Sequence, residues 1–362
     1  MWGVVSGMDG SNFGHVALKF GYITLEQLEH ALKVQREKVD ETGTVPKLGE
    51  VLVELGYMTR PQVIEVVRHQ AGHGGELVIE NYEILDKVGL GAMGAVYKAR
   101  QLSLNRIVAL KILPPTLAED ENYIARFLRE AKLAAKLSHE NIIYVIDVGE
   151  SHGVYYYAME FVEGRTLKEV VDEQGHLHEK EIVRVALQVA RALDHAYSYG
   201  IVHRDVKPAN VMITNEGTVK LCDFGLACHL GITTATTKTI IAGTPNYIAP
   251  EQIRDDEVDI RADIYALGGT MFYMATGQPP FTGKTTALVM TKHLYEPPRS
   301  PRSLAPSISR YLDAIIIKCL RKNPNERFQT PSELVRVLEK LVTRRYPSRA
   351  VRAISRRYRR RR

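Results

Sequence analysis

The sequence predicts an α+β protein in which a strand-rich unit precedes a helix-rich one, with a small all-α module in front of both. Three observations carry that expectation. Residues 13–35 and 48–70 are two copies of one helical pattern. Tyr82–Leu90, Ala95–Arg100 and Val108–Lys111 read as strands, the first two flanking a glycine-rich turn. Ile182–Tyr199 and Leu334–Leu341 then place apolar residues at helical spacing.

At 362 residues the chain is long enough for two or three compact units. Hydrophobic residues make up 45% and charged residues 25%, a balance that suits a globular chain rather than a disordered or membrane-embedded one. No run of about 18 apolar residues occurs, so no membrane-spanning helix is expected. The first ten residues lack the basic start and apolar core of a signal peptide. Cys222, Cys228 and Cys319 are odd in number and lack metal-ligand spacing, which fits a reduced, cytoplasmic protein. The net charge of +6 is concentrated at one end. Ten arginines and no acid fall between Arg344 and Arg362, so the rest of the chain is net acidic. That tail is either a solvated end or a docking segment for an anionic surface, lipid or nucleic acid, with Val351, Ile354 and Tyr358 on one helical face.

The two N-terminal copies lie 35 residues apart and agree at seven of 23 aligned positions, among them Gly14/Gly49, Gly21/Gly56, Tyr22/Tyr57, Thr24/Thr59 and Gln27/Gln62. Each has a short apolar segment, a Gly-Tyr turn and then Thr-x-x-Gln. In that capping pattern the Thr oxygen accepts a free helix N–H and the Gln side chain reaches back. Leu28, Ala31 and Leu32, like Val63, Val66 and Val67, occupy one helical face. Residues 1–12 read as an extension, 13–70 as the module, and 71–80 as a glycine-rich flexible linker. Such a module could dock a protein partner or the strand-rich unit, and its symmetry also suits a ligand with two equal halves.

Gly89, Gly91 and Gly94 form a Gly-x-Gly-x-x-Gly run between Val88 and Val96. A strand follows it, whereas a dinucleotide-binding fold would place a helix there. Bare backbone N–H groups on such a hairpin can close over phosphates without a side-chain clash. Lys111 ends the next strand, and Glu130 lies in a helix whose apolar face is Ile124, Phe127, Leu128 and Ala131. The stretch from His203 to Gly225 carries the chemistry. Asp205 and Asn210 stand five residues apart, and Asp223 follows across a predicted hairpin of Val211–Ile213 and Thr218–Leu221. Two carboxylates and an amide on neighbouring loops suit one proton acceptor and a bound hard cation that shares its coordination with phosphate.

Together, His203-Arg204-Asp205 with Lys207 and Asn210, Asp223-Phe224-Gly225, and Gly243-Thr244 leading to Ala249-Pro250-Glu251 resemble the ordered motifs of a eukaryotic-type protein kinase domain over Asn81 to Leu341. Lys207 and Thr244 resemble the serine/threonine branch, and Tyr247 to Gln252 is similar to bacterial members. The resemblance implies a bilobal kinase fold, a small β-rich lobe and a large helical lobe, with the basic tail at 342–362 outside it. It implies ATP as phosphate donor with Mg²⁺, or Mn²⁺ in its place, and Ser/Thr hydroxyls of proteins as acceptors.

In that family's terms Asp205 accepts the hydroxyl proton, Lys207 steadies the γ-phosphate, and Asn210 and Asp223 hold the metal. Lys111 orients ATP and Glu130 orients Lys111, while Val88, Gly89, Gly91 and Gly94 cover the phosphates. Val96, Ala109 and Met212 enclose adenine, Met159 gates the pocket behind it, and the backbone of Glu160 and Val162 bonds its edge. Asp263 ties the catalytic loop from a buried helix, Arg327 pairs with Glu251, and Arg204 grips a loop phosphorylated at Thr237 or Thr239. A scaffold that binds nucleotide without catalysis is the alternative, usually marked by a lost Lys, Asp or Asn. The 13–70 repeat resembles the N-terminal cyclic-di-GMP-binding domain of type IV pilus and type II secretion ATPases.

Overall fold

The four N-terminal helices repeat the symmetry of their sequence. α1 (Gly10–Lys19) and α2 (Leu25–Glu37) correspond to α3 (Leu48–Glu54) and α4 (Arg60–Gln70). Gly21 and Gly56 both take φ +70°, a left-handed turn that a side chain would resist. Thr24 and Gln27 form the reciprocal cap of α2, and Thr59 N donates to Gln62 Oε1 at 2.8 Å before α4. Even the close packing recurs. A Cβ at Gly14 would lie 2.7 Å from Leu28, and one at Gly49 would lie 2.7 Å from Val63, the same pair displaced by one repeat. Phe13, Val16, Ala17, Ala31, Val51, Leu52 and Val66 fill the core between the copies.

The structure, a computed structural model, describes residues 10–38, 46–70, 77–91, 94–114, 117–118, 120–151, 153–224 and 245–345. It divides into two units, one of residues 1–128 with 146–161 and one of 129–145 with 162–362. The first unit joins the N-terminal helices to a five-stranded sheet in the order β1-β2-β3-β5-β4. Its strands are β1 (Tyr82–Gly91), β2 (Gly94–Gln101), β3 (Arg106–Ile112), β4 (Val145–Ser151, beginning at the boundary between the units) and β5 (Val154–Glu160). The helix α5 (Glu121–Ala134) follows β3. Ile79 bridges to Tyr82 and is buried in the apolar core of the sheet, so the linker expected at 71–80 ends before it.

The second unit is built on α7 (Glu179–Ser198) and α9 (Ile260–Thr276), both heavily buried. Around them lie α6 (Leu167–Gln174), α8 (Pro250–Arg254), α10 (Thr286–Tyr295), α11 (Pro301–Leu304), α12 (Arg310–Cys319) and α13 (Pro331–Arg345). Ile182, Val185, Ala186, Val189 and Leu193 of α7 are at most 1% exposed, which makes the helix the floor of the unit. A three-stranded sheet of β6 (Gly164–Thr166), β7 (Val211–Thr214) and β8 (Val219–Leu221) adjoins this core. The expected α+β arrangement, a β-rich lobe and a helical lobe with helices in front, is the observed one. Among the described residues no helix is long and apolar enough to cross a membrane.

Candidate active site

The hairpin β7–β8 pairs Val211 with Leu221, Met212 with Lys220 and Ile213 with Val219, and so sets the loops before and after it side by side. The loop from His203 to Asn210 is pinned by two of its neighbours. Asp263 of α9 accepts the backbone N–H of His203 at Oδ2 and that of Arg204 at Oδ1, both at 2.7 Å. Burial pushes the Asp263 carboxyl up, against the pull of His203 and of these two N–H groups. The bonds hold Arg204 at φ +65°, a left-handed conformation that costs a non-glycine residue about 1–2 kcal/mol. Gln252 of α8 donates its Nε2–H to the Arg204 carbonyl at 3.0 Å.

His203 links the two loops through its ring. Nδ1 accepts the Asp205 N–H at 3.2 Å, so the proton sits on Nε2, which donates to the Cys222 carbonyl at 2.8 Å. The Phe224 ring packs on the same imidazole, centroids 4.6 Å apart.

Asp205 Oδ2 accepts from Lys207 Nζ at 2.7 Å and from Asn210 Nδ2 at 2.9 Å. The same Nδ2 donates to the Asp205 carbonyl at 2.9 Å, which uses both amide protons and turns the oxygen of the Asn210 side chain to other work. The Asn210 carbonyl receives Cys222 N at 3.0 Å and Cys222 Sγ at 3.2 Å, which brings the next residue, Asp223, beside the loop. Asp223 itself is at φ +59°.

Among the described residues no three His, Cys, Asp or Glu side chains gather as a metal cage. Asn210 Oδ1 and the Asp223 carboxylate are hard oxygen donors of the kind Mg²⁺ takes in ones and twos, with phosphate and water completing its shell. The donor set fits Mg²⁺.

In the other unit, register collects the expected nucleotide residues on one face of the sheet. Val96 pairs with Lys111, Lys111 with Tyr157 and Ala109 with Met159. Side chains alternate along a strand while direct partners share a face, so Val96, Ala109, Lys111 and Met159 point the same way. Lys111 is 6% exposed, with Nζ 5.8 Å from the centre of the Tyr157 ring. Gly89 pairs with Val96 and Gly91 with Gly94, while Val88 falls at a bulge and stays exposed. A Cβ at Gly94 would lie 2.0 Å from the Ile112 carbonyl, so only glycine fits there. Glu160 ends β5 opposite Val108. In the large-lobe unit Val162 is buried after β5, and Met212 lies in β7 opposite Thr166.

Glu130 lies in α5, but its side chain is outside the described residues, as are Gly225, Thr237, Thr239 and the tail from 346. His203 and Gln252 received no role from the sequence. The histidine was visible beside Arg204-Asp205, whereas nothing local marks a glutamine whose partner is a carbonyl 48 residues away.

The model of the protein kinase domain matches residues 82–338, and the chain belongs to the protein kinase family. It is 40% identical over 260 residues to serine/threonine-protein kinase PknB of Mycobacterium leprae, across 70% of this chain and 42% of that one. Serine/threonine-protein kinase PrkC of Bacillus subtilis is 40% identical over 260 residues, across 72% and 40%. The chain thus spans about two fifths of the length of these curated relatives. Among solved structures, the kinase domain of Mycobacterium tuberculosis PknI aligns with TM-score 0.60 and 31% identity over 73% of this chain and 97% of that one. Rad53 1-466 in complex with AMP-PNP aligns with TM-score 0.60 and 28% identity, over 71% and 64%.

Proposed function

We propose that this chain is an active serine/threonine protein kinase, transferring the γ-phosphate of ATP to Ser/Thr hydroxyls of proteins. The observation that carries the reading is Asp205 held by Lys207 and Asn210, with Cys222, the residue before Asp223, bonded to the Asn210 carbonyl. The names of PknB and PrkC and the AMP-PNP in the Rad53 structure support the same chemistry.

Asp205 accepts the proton of the attacking hydroxyl. Asn210 fixes its Oδ2, and Lys207 supplies positive charge where the transferring phosphoryl group gains negative charge. Asn210 and Asp223 would hold Mg²⁺, which when bound neutralises phosphate charge. Lys111 aims its ammonium at the α- and β-phosphates, with Glu130 as its orienting partner. Val88, Gly89, Gly91 and Gly94 cover the phosphates, and Val96, Ala109 and Met212 enclose the adenine. Met159 gates the rear of that pocket, and the backbone of Glu160 and Val162 reads the adenine edge. A pseudokinase is the weaker reading, because the chain keeps Lys111, Asp205, Asn210 and Asp223.

Activity should leave its mark on the chain. The family resemblance gives Arg204, adjacent to the base, the role of gripping a phosphate on Thr237 or Thr239, a group that adds nearly two negative charges. Mass spectrometry after incubation with ATP and Mg²⁺ should find phosphate on one or both. Active protein with this loop unmodified contradicts the regulatory reading, and so does modification that persists undiminished in an Asp205→Asn chain.

For the N-terminal module, the twofold repeat leaves two occupants open, a protein surface and a cyclic dinucleotide. Lys47 precedes Leu48-Gly49 as a point charge without arginine's planar fork, and Asn12 is neutral, so weak affinity is expected at best. Calorimetry of the whole chain with cyclic-di-GMP at about 100 µM decides between them. That concentration reaches affinities of roughly 5–6 kcal/mol. Heat that Gly21→Ala and Gly56→Ala abolish supports the nucleotide, and absence of heat assigns the module to protein contacts.

A further inference from the structure

The helix α4 has two faces with two different cores. Val66 is buried with Phe13, Val16 and Leu52 inside the helical module, and Val63 and Val67 pack against the same cluster. Ile64, one step of about 100° round the helix from Val63, does not belong to that cluster. It is 4% exposed and buried instead among Ile79, Tyr82, Val154 and Tyr156 of the strand-rich lobe. Its Cγ1 lies 3.4 Å from where a Cβ of Gly153 would stand, so the side chain rests on the backbone of the turn between β4 and β5.

One helical turn before it, on the same side of α4, Arg60 donates Nη1–H to the carbonyl of Ala118 at 3.4 Å. Ala118 is 2% exposed and lies in the connection that leaves β3 and enters α5, where both Leu117 and Ala118 bond back to the Pro114 carbonyl. The two contacts fall at different places in the lobe: Arg60 on the connection from β3 to α5, and Ile64 on the β4–β5 turn, whose strand β5 pairs with β3. β3 carries Lys111 three residues before Pro114, and α5 carries Glu130.

We propose that Arg60 and Ile64 are positioning residues for phosphoryl transfer: α4 is anchored on the sheet by Ile64 and ties down the β3–α5 connection through Arg60, and so holds Lys111 and the start of α5 in the arrangement that binds ATP. The module is then a working part of the small lobe, whether or not it takes a ligand of its own. The proposal rests on the assignment of Lys111 and Glu130 to ATP and adds residues that no kinase motif contains. A burial of this kind is specific to shape. Valine can fill most of the Ile64 site, and a carboxylate cannot be desolvated there without a partner.

The test uses the full chain carrying Ile64→Asp, Ile64→Val, Arg60→Ala or Arg60→Lys, read by ATP titration kinetics and by amide hydrogen exchange. Ile64→Asp should raise KM for ATP at least fivefold and speed exchange across residues 117–128 at least tenfold, with exchange in α7 and α9 unchanged. Arg60→Ala should act in the same direction more weakly, at about twofold in KM, while Ile64→Val and Arg60→Lys stay close to the parent. A change that merely lowers the folded fraction would speed exchange in every helix and leave KM alone. Unaltered KM together with unaltered exchange at 117–128 in Ile64→Asp overturns the proposal, and so does a rise in activity. If Ile64→Asp does not fold, unaltered exchange at 117–128 in Arg60→Ala overturns it. Should the parent chain transfer no phosphate, the activity assignment fails by itself, and the exchange measurement still reports on the clamp.

Discussion

Asp205→Asn should fold and bind ATP like the parent chain and lose roughly 10²–10⁴-fold in kcat, the usual contribution of a positioned general base. The size of the effect follows from how the carboxylate is held. Its Oδ2 takes hydrogen bonds from Lys207 at 2.7 Å and Asn210 at 2.9 Å, which orient it without shielding it from a substrate hydroxyl. An amide keeps the shape and much of the hydrogen bonding but cannot accept the proton. KM for ATP should therefore move little while kcat collapses, the pattern of an interaction made in the transition state. Steady-state kinetics with a generic basic protein substrate provides the check. Turnover near the parent value would remove Asp205 from its assigned role.

The second large effect is on stability. Arg327 lies in the core with all five of its N–H donors engaged. Nη1 and Nη2 grip Glu251 at 2.6 and 2.8 Å, and the other three bonds go to the carbonyls of Arg261, Arg321 and Lys322. The guanidinium also lies over the Tyr265 ring, 4.8 Å from its centre. Arg327→Leu would leave the Glu251 carboxylate, itself 4% exposed, buried without a partner. Removal of one member of such a pair costs about 3–5 kcal/mol. Arg327→Lys should recover only part of that, since an ammonium cannot reproduce a planar fork. Denaturant unfolding followed by circular dichroism measures both, and a loss below about 1 kcal/mol for Arg327→Leu would contradict the assignment. Activity should fall as well. Glu251 sits in α8 beside Gln252, which bonds the Arg204 carbonyl next to Asp205.

Much of this architecture was legible because periodicity and capping are local. The two Thr-x-x-Gln boxes announced α2 and α4, and the alternation around Asn215-Glu216-Gly217 announced the hairpin that sets Asn210 near Asp223. The tie from Asp263 to the catalytic loop and the Arg327–Glu251 pair were legible only through the resemblance to a family, since both join residues 59 or more apart. What stayed hidden depends on tertiary contact without a pattern. Ile79 looked like part of a glycine-rich linker, yet it is core, because the three-residue run Leu77-Val78-Ile79 is too short to show a period. The three residues of β6 are too few to alternate visibly. Ile64 stood among valines of an amphipathic helix and gave no sign that its side chain belongs to a different core from theirs.

Everything proposed for this site requires that it move phosphate from ATP to an aliphatic hydroxyl. The direct measurement incubates the purified chain with γ-labelled ATP, Mg²⁺ and a generic basic protein, then identifies the labelled amino acids after hydrolysis. Phosphoserine and phosphothreonine are expected without phosphotyrosine, and the label should be lost when Mg²⁺ is chelated or Asp223 is replaced by Ala. Nucleotide binding without transfer of label to any hydroxyl would contradict it and mark the chain as a scaffold.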